Sequence, residues 1–333
     1  MHAAETRLSR EAITRLIGAA VLAPSPHNSQ PWIFRVRGRC IGVIADRTRA
    51  LPANDPDDRE LTLSCGCALF NLRVAAAHAQ LGTQVHGPSG ACDPDCLARL
   101  EILPDAAPDA ALAALHDAMA ERRTYRKTFA ARPVAPAALD ALVAAATSEQ
   151  AWLHVLQGDS QRRMAAELIA EGDDAQWADP AWRRELAAWM HPRRRGDGLV
   201  LPDLAVPLAQ AVVRTFDIGH GVAARDVQLA DASPVLAVLG TRGDDLASRV
   251  DAGQALQRTL LTACRHGLQA SFLNQPIEVA PLRMRLLQAI GQTGYPQMLL
   301  RLGHAENHLS ATPRRPLDDV IEFVPEGSPD GGC

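Results

Sequence analysis

Apolar residues near the start of the chain change their period twice. Ile13, Leu16, Ile17, Ala20 and Val21 recur at three- and four-residue spacing, the stripe of a helix buried on one face, with Ser9 placed to cap it and Pro24 to stop it. Two short runs, about Trp32 to Val36 and Ile41 to Ala45, then flank a turn at Gly38 and predict paired strands. A long apolar stretch from about Asp58 to Leu81 predicts a helix that Gly82 closes as a C-terminal cap.

The order recurs further along. An alanine-rich helix is expected near 108 to 121, after which Pro136 opens a helix that buries Leu139, Leu142 and Val143. A strand at 152 to 157, a strand in PVLAVLG, a helix from about Leu246 to His266 closed by Gly267, and strands in QASFL and MLLRL follow. Without gaps, Arg73 to Gly82 aligns with Arg258 to Gly267. Alone this match is weak, because alanine-rich helices resemble one another.

Between the early helices of the second cycle and PVLAVLG lies a stretch with three tryptophans, a run of arginines and several glycines and prolines. Long excursions of this kind are lids or linkers, and the helical spacing of Trp182, Leu186 and Trp189 favours an ordered lid over about 172–220.

Composition narrows the function classes. With 333 residues, 47% hydrophobic and 22% charged, the chain is long enough for two domains or a doubled fold with a substantial core. A net charge of -4 with scattered arginines argues against nucleic acid as a partner. No apolar run reaches the roughly 20 residues of a membrane span, and the start MHAAETRLSREA reads as no signal peptide, so a cytoplasmic protein is expected. Seven cysteines, an odd number, fit a reducing compartment and free thiols. Cys65, Cys67, Cys92 and Cys96 do not read as a zinc site, because residues two apart on a helix point about 200° from each other.

Three segments carry candidate chemistry: APSPHNSQPW at 23–32, RRTYRKTF at 122–129 and RRPLDDVI at 314–321. Together they resemble the signatures of the nitroreductase-like flavoproteins, and ASPVLAVLG, DAGQALQRTLLTACRHGL and MLLRLG extend the resemblance over most of the chain. Family members are usually homodimers with FMN at the subunit interface. The arginine-rich segment of one subunit and the Pro-Ser-x-x-Asn segment of the other contact it. In this sequence the first half has only Pro-Ser-x-x-Asn and the second half only the arginines, an arrangement similar to the tandem Acg-like branch. The resemblance therefore implies an α+β nitroreductase-like fold of two fused halves, 1–107 and 108–333, forming a monomeric pseudo-dimer with one complete FMN site. It also implies that the tail near Val320 to Val324 crosses to the other half's sheet.

By the same resemblance, Arg122, Thr124 and Arg126 hold phosphate, ribityl chain and pyrimidine edge, with Arg123 beside them and Arg314 or Arg315 adding a cation. Arginine suits a phosphate because its planar fork gives charge-assisted, bidentate hydrogen bonds. Pro24 fixes an extended path from which Ser25 and Asn28 offer short polar side chains, while His27 reads as a bystander and Trp32 as core. SFLNQPIE resembles the stretch lying against the flavin N5 edge, making Leu273, Asn274 and Gln275 candidates, and a further pyrimidine contact falls at Arg225 or Gln228.

Two functions are open on this reading. One is an oxidoreductase in which NAD(P)H reduces FMN and a nitroaromatic, quinone or similar small acceptor reoxidises it by ping-pong transfer. The flavin supplies the redox chemistry, and no protein acid or nucleophile is required or visible in the motifs. The other is an FMN-binding or FMN-sequestering protein whose lid occludes the ring. No glycine-rich dinucleotide fingerprint is present where a strand meets a helix, so NAD(P)H would bind transiently over the flavin.

Overall fold

The computed structural model describes residues 8–88, 93–191, 196–199, 205–215 and 219–325. The first half runs α1 (Arg10–Ala20), β1 (Trp32–Arg37), β2 (Cys40–Ala45), α2 (Arg59–His78), β3 (Gly82–His86) and β4 (Cys96–Leu103). Short helices α3 (Ala110–Ala113) and α4 (His116–Glu121) lead to α5 (Pro136–Thr147) and β5 (Ala151–Val155). An insertion of α6 (Gly158–Ala178), α7 (Pro180–Ala188), α8 (Val206–Thr215) and α9 (Gly219–Asp231) precedes β6 (Val235–Thr241). Then come α10 (Leu246–Arg265), β7 (Gln269–Phe272), α11 (Gln275–Glu278), α12 (Ala280–Ile290), β8 (Tyr295–Gly303) and β9 (Ile321–Phe323).

Local chemistry sets these boundaries. The Ser9 hydroxyl accepts the Ala12 N–H at 3.1 Å, capping α1 as its position predicts, and α1 buries Ile13, Leu16, Ile17 and Ala20. Gly82 does not close α2. That helix ends through Gln80, which takes the left-handed φ of 62°, while Gly82 opens β3. Gly82 is required for another reason, since a Cβ there would stand 2.3 Å from the Ala106 carbonyl oxygen. Gly267, with φ +71°, does supply the left-handed turn after α10.

The class is α+β, and the strand orders show the repeat. One sheet runs β3-β4-β2-β1-β9 and the other, from its far edge, β7-β8-β6-β5. Corresponding neighbours are antiparallel in both, and each sheet is irregular at the same joint, between Val43 and Ile44 and between Leu239 and Gly240. The central helices α2 and α10 have 20 residues each, and their landmarks all lie 187 positions apart: Arg59 and Leu246 start them, His78 and Arg265 end them, and Gln80 and Gly267 turn the chain. The gap-free match of Arg73 with Arg258 is therefore two residues out of structural register. It rests on alanine-rich composition, whereas the true register aligns helix ends.

The same register pairs Gly66 with Gly253, and these two meet where the central helices cross. A Cβ on Gly66 would lie 2.4 Å from the Val250 oxygen and 2.9 Å from the Gly253 Cα. Only glycine allows that approach. Nearby, Arg73 and Arg258 reach the carboxylate of buried Glu149 from the two helices, at 2.6 and 2.7 Å. Both sheets contribute to the main core through residues such as Trp32, Phe34, Leu239 and Leu300.

The C-terminal tail returns to the first half, where β9 pairs parallel to β1 with Phe34 opposite Ile321 and Val36 opposite Phe323. The second half, expected as 108–333, thus lends its last strand to the first sheet. Cys65 and Cys67 are buried free thiols, and no group of metal-ligating side chains occurs among the described residues. Cys96 departs from the expectation of free thiols, being disulfide-bonded. No described helix is long and apolar enough to cross a membrane.

Candidate functional site

A cavity of about 630 Å³ draws its walls from both halves and from the insertion. Its volume is within the roughly 300–1,000 Å³ of cofactor and small-molecule sites. Of the residues expected at a flavin, Pro24, Ser25, Asn28, Arg122, Arg123, Thr124, Arg126, Asn274, Gln275 and Arg314 line it. Leu273 is instead buried in a separate apolar cluster, and Arg315 is not among the lining residues, its guanidinium being held by the Gln30 and Asp319 carbonyls. The structure thus gathers segments from near residues 25, 124, 275 and 314 around one space.

The loop after α1 is held in an unusual path. His27, Asn28 and Gln30 have φ of 49°, 56° and 51°, a left-handed conformation that costs side-chain-bearing residues energy and persists only where the surroundings enforce it. Ser25 Oγ accepts the Gln30 N–H at 2.9 Å, and the Gln30 side-chain amide donates to the Gly196 carbonyl at 2.8 Å and accepts the Arg315 N–H at 2.9 Å. Arg315 serves as the buckle of this loop. Its guanidinium donates to the carbonyls of Gln30 and Asp319 and lies 3.3 Å from Asp46.

The arginine segment is laid beside β7. Thr124 bridges Ala270 in parallel, the Tyr125 N–H donates to Ala270 O at 2.8 Å, and buried Arg301 donates to the carbonyls of Tyr125 and Lys127 at 2.8 and 2.9 Å. Arg123 is spent on backbone carbonyls, including Ala120 at 2.6 Å and Leu309 at 3.1 Å. Arg122 is 7% exposed, burial pushes its guanidinium down to about 10, and its Nε has no hydrogen-bond partner. Arg126 opens into the cavity and has no hydrogen-bond or ion-pair partner among the described residues. Burial lowers it too, and burial followed by the nearby Arg126 charge brings His27 down to about 4, so that ring is neutral. Buried cationic donors without a counter-charge mark an anion site.

Arg314 lines the cavity but uses much of its fork on the loop, donating to Val21 O at 2.7 Å and Leu22 O at 3.1 Å. Asn274 acts as a strut. Its amide donates to Glu60 Oε1 at 3.0 Å and its oxygen accepts the Leu299 N–H at 3.0 Å. Gln275 donates to both Asp173, at 3.1 Å, and Asp226, at 2.6 Å, leaving a buried Oε1 without a partner. Neither Arg225 nor Gln228 lines the cavity. Both are exposed on α9, which turns Asp226 toward Gln275 instead.

The insertion forms part of the wall. It starts earlier than 172, with α6 at Gly158, while residues 192–195, 200–204 and 216–218, including the arginine run, lie outside the described ones. Trp182 packs edge-on against Trp177 at 5.3 Å and donates its indole N–H to Asn54 Oδ1 at 2.8 Å. The Glu185 carboxylate accepts the N–H groups of Ala53 and Asn54, both at 2.9 Å. These bonds latch α7 to the first half, with Trp182, Asn54 and Gln176 all facing the cavity.

The motifs alone missed an acid pair. Glu60 and Glu278 both line the cavity, two acids that the motif reading did not single out. Burial raises the pKa of each, and for Glu60 the neighbouring Glu278 charge adds to it. Glu278 lies within SFLNQPIE, so its position beside the candidate residues was available; Glu60 reads only as a favourable acid in the first turn of a helix.

The protein is thus α+β with two like halves and a donor-rich cavity walled by both, of a size suited to a cofactor or small molecule. No family model matches the sequence. The chain is 34% identical over 328 residues to Rv3131 of Mycobacterium tuberculosis, named a candidate NAD(P)H nitroreductase, covering 95% of this chain and 92% of that protein. To acg from the same organism, likewise named a candidate NAD(P)H nitroreductase, it is 30% identical over 324 residues, covering 95% and 97%. The chain belongs to this Acg-like NAD(P)H nitroreductase family of oxidoreductases. Among solved structures, the FMN and NADPH-dependent nitroreductase NfnB of a Sphingopyxis strain is 19% identical, with TM-score 0.43 over 63% of this chain and 99% of that one.

Proposed function

We propose that the cavity holds one FMN and that the protein passes electrons from NAD(P)H through that flavin to a small acceptor such as a nitroaromatic or quinone. The observation that carries this reading is the meeting, across one cavity, of a strained polar loop from the first half with two buried cations from the second: Arg122, whose Nε has no partner among the described residues, and Arg126, which has none there at all. A phosphate of nearly two negative charges suits that end. Arg122, Arg126 and Lys127 would hold it, with Thr124 and Ser25 offering hydroxyls toward the ribityl chain and Asn28, Asn274 and Gln275 lining the remainder. Bound flavin would supply reversible hydride chemistry. The protein's own contribution is to orient the ring, exclude water and leave stacking room for donor and acceptor in turn.

The halves, divided near 107, each supply one part of the site, so one flavin per chain and a monomer are expected. Titrating flavin-free protein with FMN tests this. Saturation at one per chain supports it, and no binding, or two, overturns it.

A second reading has its own observation. The Trp182 and Glu185 latch fixes part of the insertion against the first half at the cavity wall. If that wall fills the space above the ring, the protein retains FMN without turning over nicotinamide.

A further inference from the structure

Glu60, which is 2% exposed, stands at the start of α2 in the first half, and Glu278 closes α11 in the second. Both line the cavity, and Asn274, which precedes α11, ties that helix to Glu60 Oε1 at 3.0 Å, so the two carboxyls face one wall as each other's hydrogen-bonding neighbours. Two ionised carboxylates have no donor between them, so this contact requires a shared proton. The remaining partners are donors: Arg59 and Asn274 each reach Glu60 Oε1 at 3.0 Å, and the side-chain amides of Gln176 and Asn54 face Glu278. Among the described residues, Arg59 stands beside the pair together with the acids Asp55 and Asp173, an excess of carboxyls that favours a retained proton.

Other atoms on the same cavity call for a ligand. Arg122 Nε, on a residue 7% exposed, and Gln275 Oε1 have no partner among the described residues. A dianionic phosphate would sit with the arginines and away from two carboxyls, which would leave the acid pair toward the ring end and the acceptor bound there.

We infer that the Glu60–Glu278 pair is the proton donor to the electron acceptor, an assignment that rests on the reading of the cavity as an FMN site. Reduction of a quinone to hydroquinone takes up one hydride and one proton, and reduction of a nitro group to nitroso plus water takes up the same. Bound, reduced flavin would supply the hydride. The proton leaves the shared O–H bond for the acceptor oxygen, and both carboxylates are left ionised beside Arg59. Their mutual repulsion then draws a proton from water once product departs. Burial places such a pair closer to neutral pH, where a general acid is most effective.

Infrared spectroscopy of the flavin-free protein tests the shared proton. A carboxylic C=O band that shifts in D2O is expected at pH 8, and it should vanish in Glu60→Gln and in Glu278→Gln. Its absence from the wild type overturns the inference without recourse to any variant. The transfer step is read by stopped flow, mixing dithionite-reduced, FMN-loaded protein with 1,4-benzoquinone without oxygen. Reoxidation should slow about 100-fold in each variant, the scale of general acid catalysis, and lose its solvent isotope effect. FMN affinity should stay within about twofold. An infrared band with unchanged reoxidation in both variants overturns the donor role alone, whereas failure of the wild type to bind FMN overturns the cofactor assignment and the donor role with it.

Discussion

Arg126 and His27 share the cavity and differ in what a ligand would gain from them. Arg126 offers a guanidinium with no partner among the described residues, while His27 is a neutral ring whose proton is withheld by burial and by that same arginine. Arg126→Ala should therefore weaken FMN by about 1.5–3 kcal/mol, on the order of 10- to 150-fold in Kd, and His27→Ala by much less. Flavin titration of the two apo-proteins checks this, and equal affinities would refute the placement of the phosphate. Asp173 permits a pH prediction. Burial, then the Asp226 charge, raises its carboxyl to about 7, well above its ordinary value near 4. Between those values the folded protein keeps a proton that the unfolded chain has released. Stability from this group is full below pH 4 and declines as pH rises to 7. Urea midpoints at pH 5 and pH 8 should fall further in wild type than in Asp173→Asn; identical declines would show that Asp173 is ionised in the fold.

At the scale of elements, helices and strands were legible because their apolar periods and caps are local, as Ser9 and Gly267 illustrate. The motif segments were legible as well, since Pro24 to Asn28 and Arg122 to Arg126 carry unusual residue types at short spacing. What was not legible depends on chain segments far apart meeting in space. The acid pair needs α2 to meet α11, Asp226 rather than Arg225 faces inward because of how α9 lies, and Arg315 is a buckle because Gln30 lies under it. The register of the repeat was similarly hidden, since it shows in the helix ends and the glycine crossing rather than in the arginines. That crossing yields a test. Gly66→Ala must push a methyl against the Val250 carbonyl 2.4 Å away, which should cost at least about 1–3 kcal/mol, while Gly221→Ala, with nothing within 4 Å, should cost much less. Thermal unfolding of both variants decides it, and equal Tm values would mean the helices can separate freely there.

For the whole molecule the question is whether the insertion leaves the flavin accessible. A nicotinamide donor and a flat acceptor would have to use the same stacking space, and α7 borders that cavity through Trp182 while Glu185 and the Trp182 indole fasten it to residues 53 and 54. If the latch leaves room, NADPH or NADH should bleach the bound flavin without oxygen, and a quinone should restore its absorbance with ping-pong kinetics. If the latch closes the space, dithionite will reduce the flavin and neither nicotinamide will. The variant Glu185→Gln with Trp182→Phe separates occlusion from a missing nicotinamide contact. It removes the charged acceptor of two backbone N–H groups and the indole donor but keeps an aromatic ring in the cluster with Trp177. Occlusion predicts that this double variant gains nicotinamide reduction by at least about tenfold while still holding FMN. A double variant that binds FMN, is reduced by dithionite and stays inert to both nicotinamides would remove the oxidoreductase reading based on nicotinamide and leave the flavin-holding one.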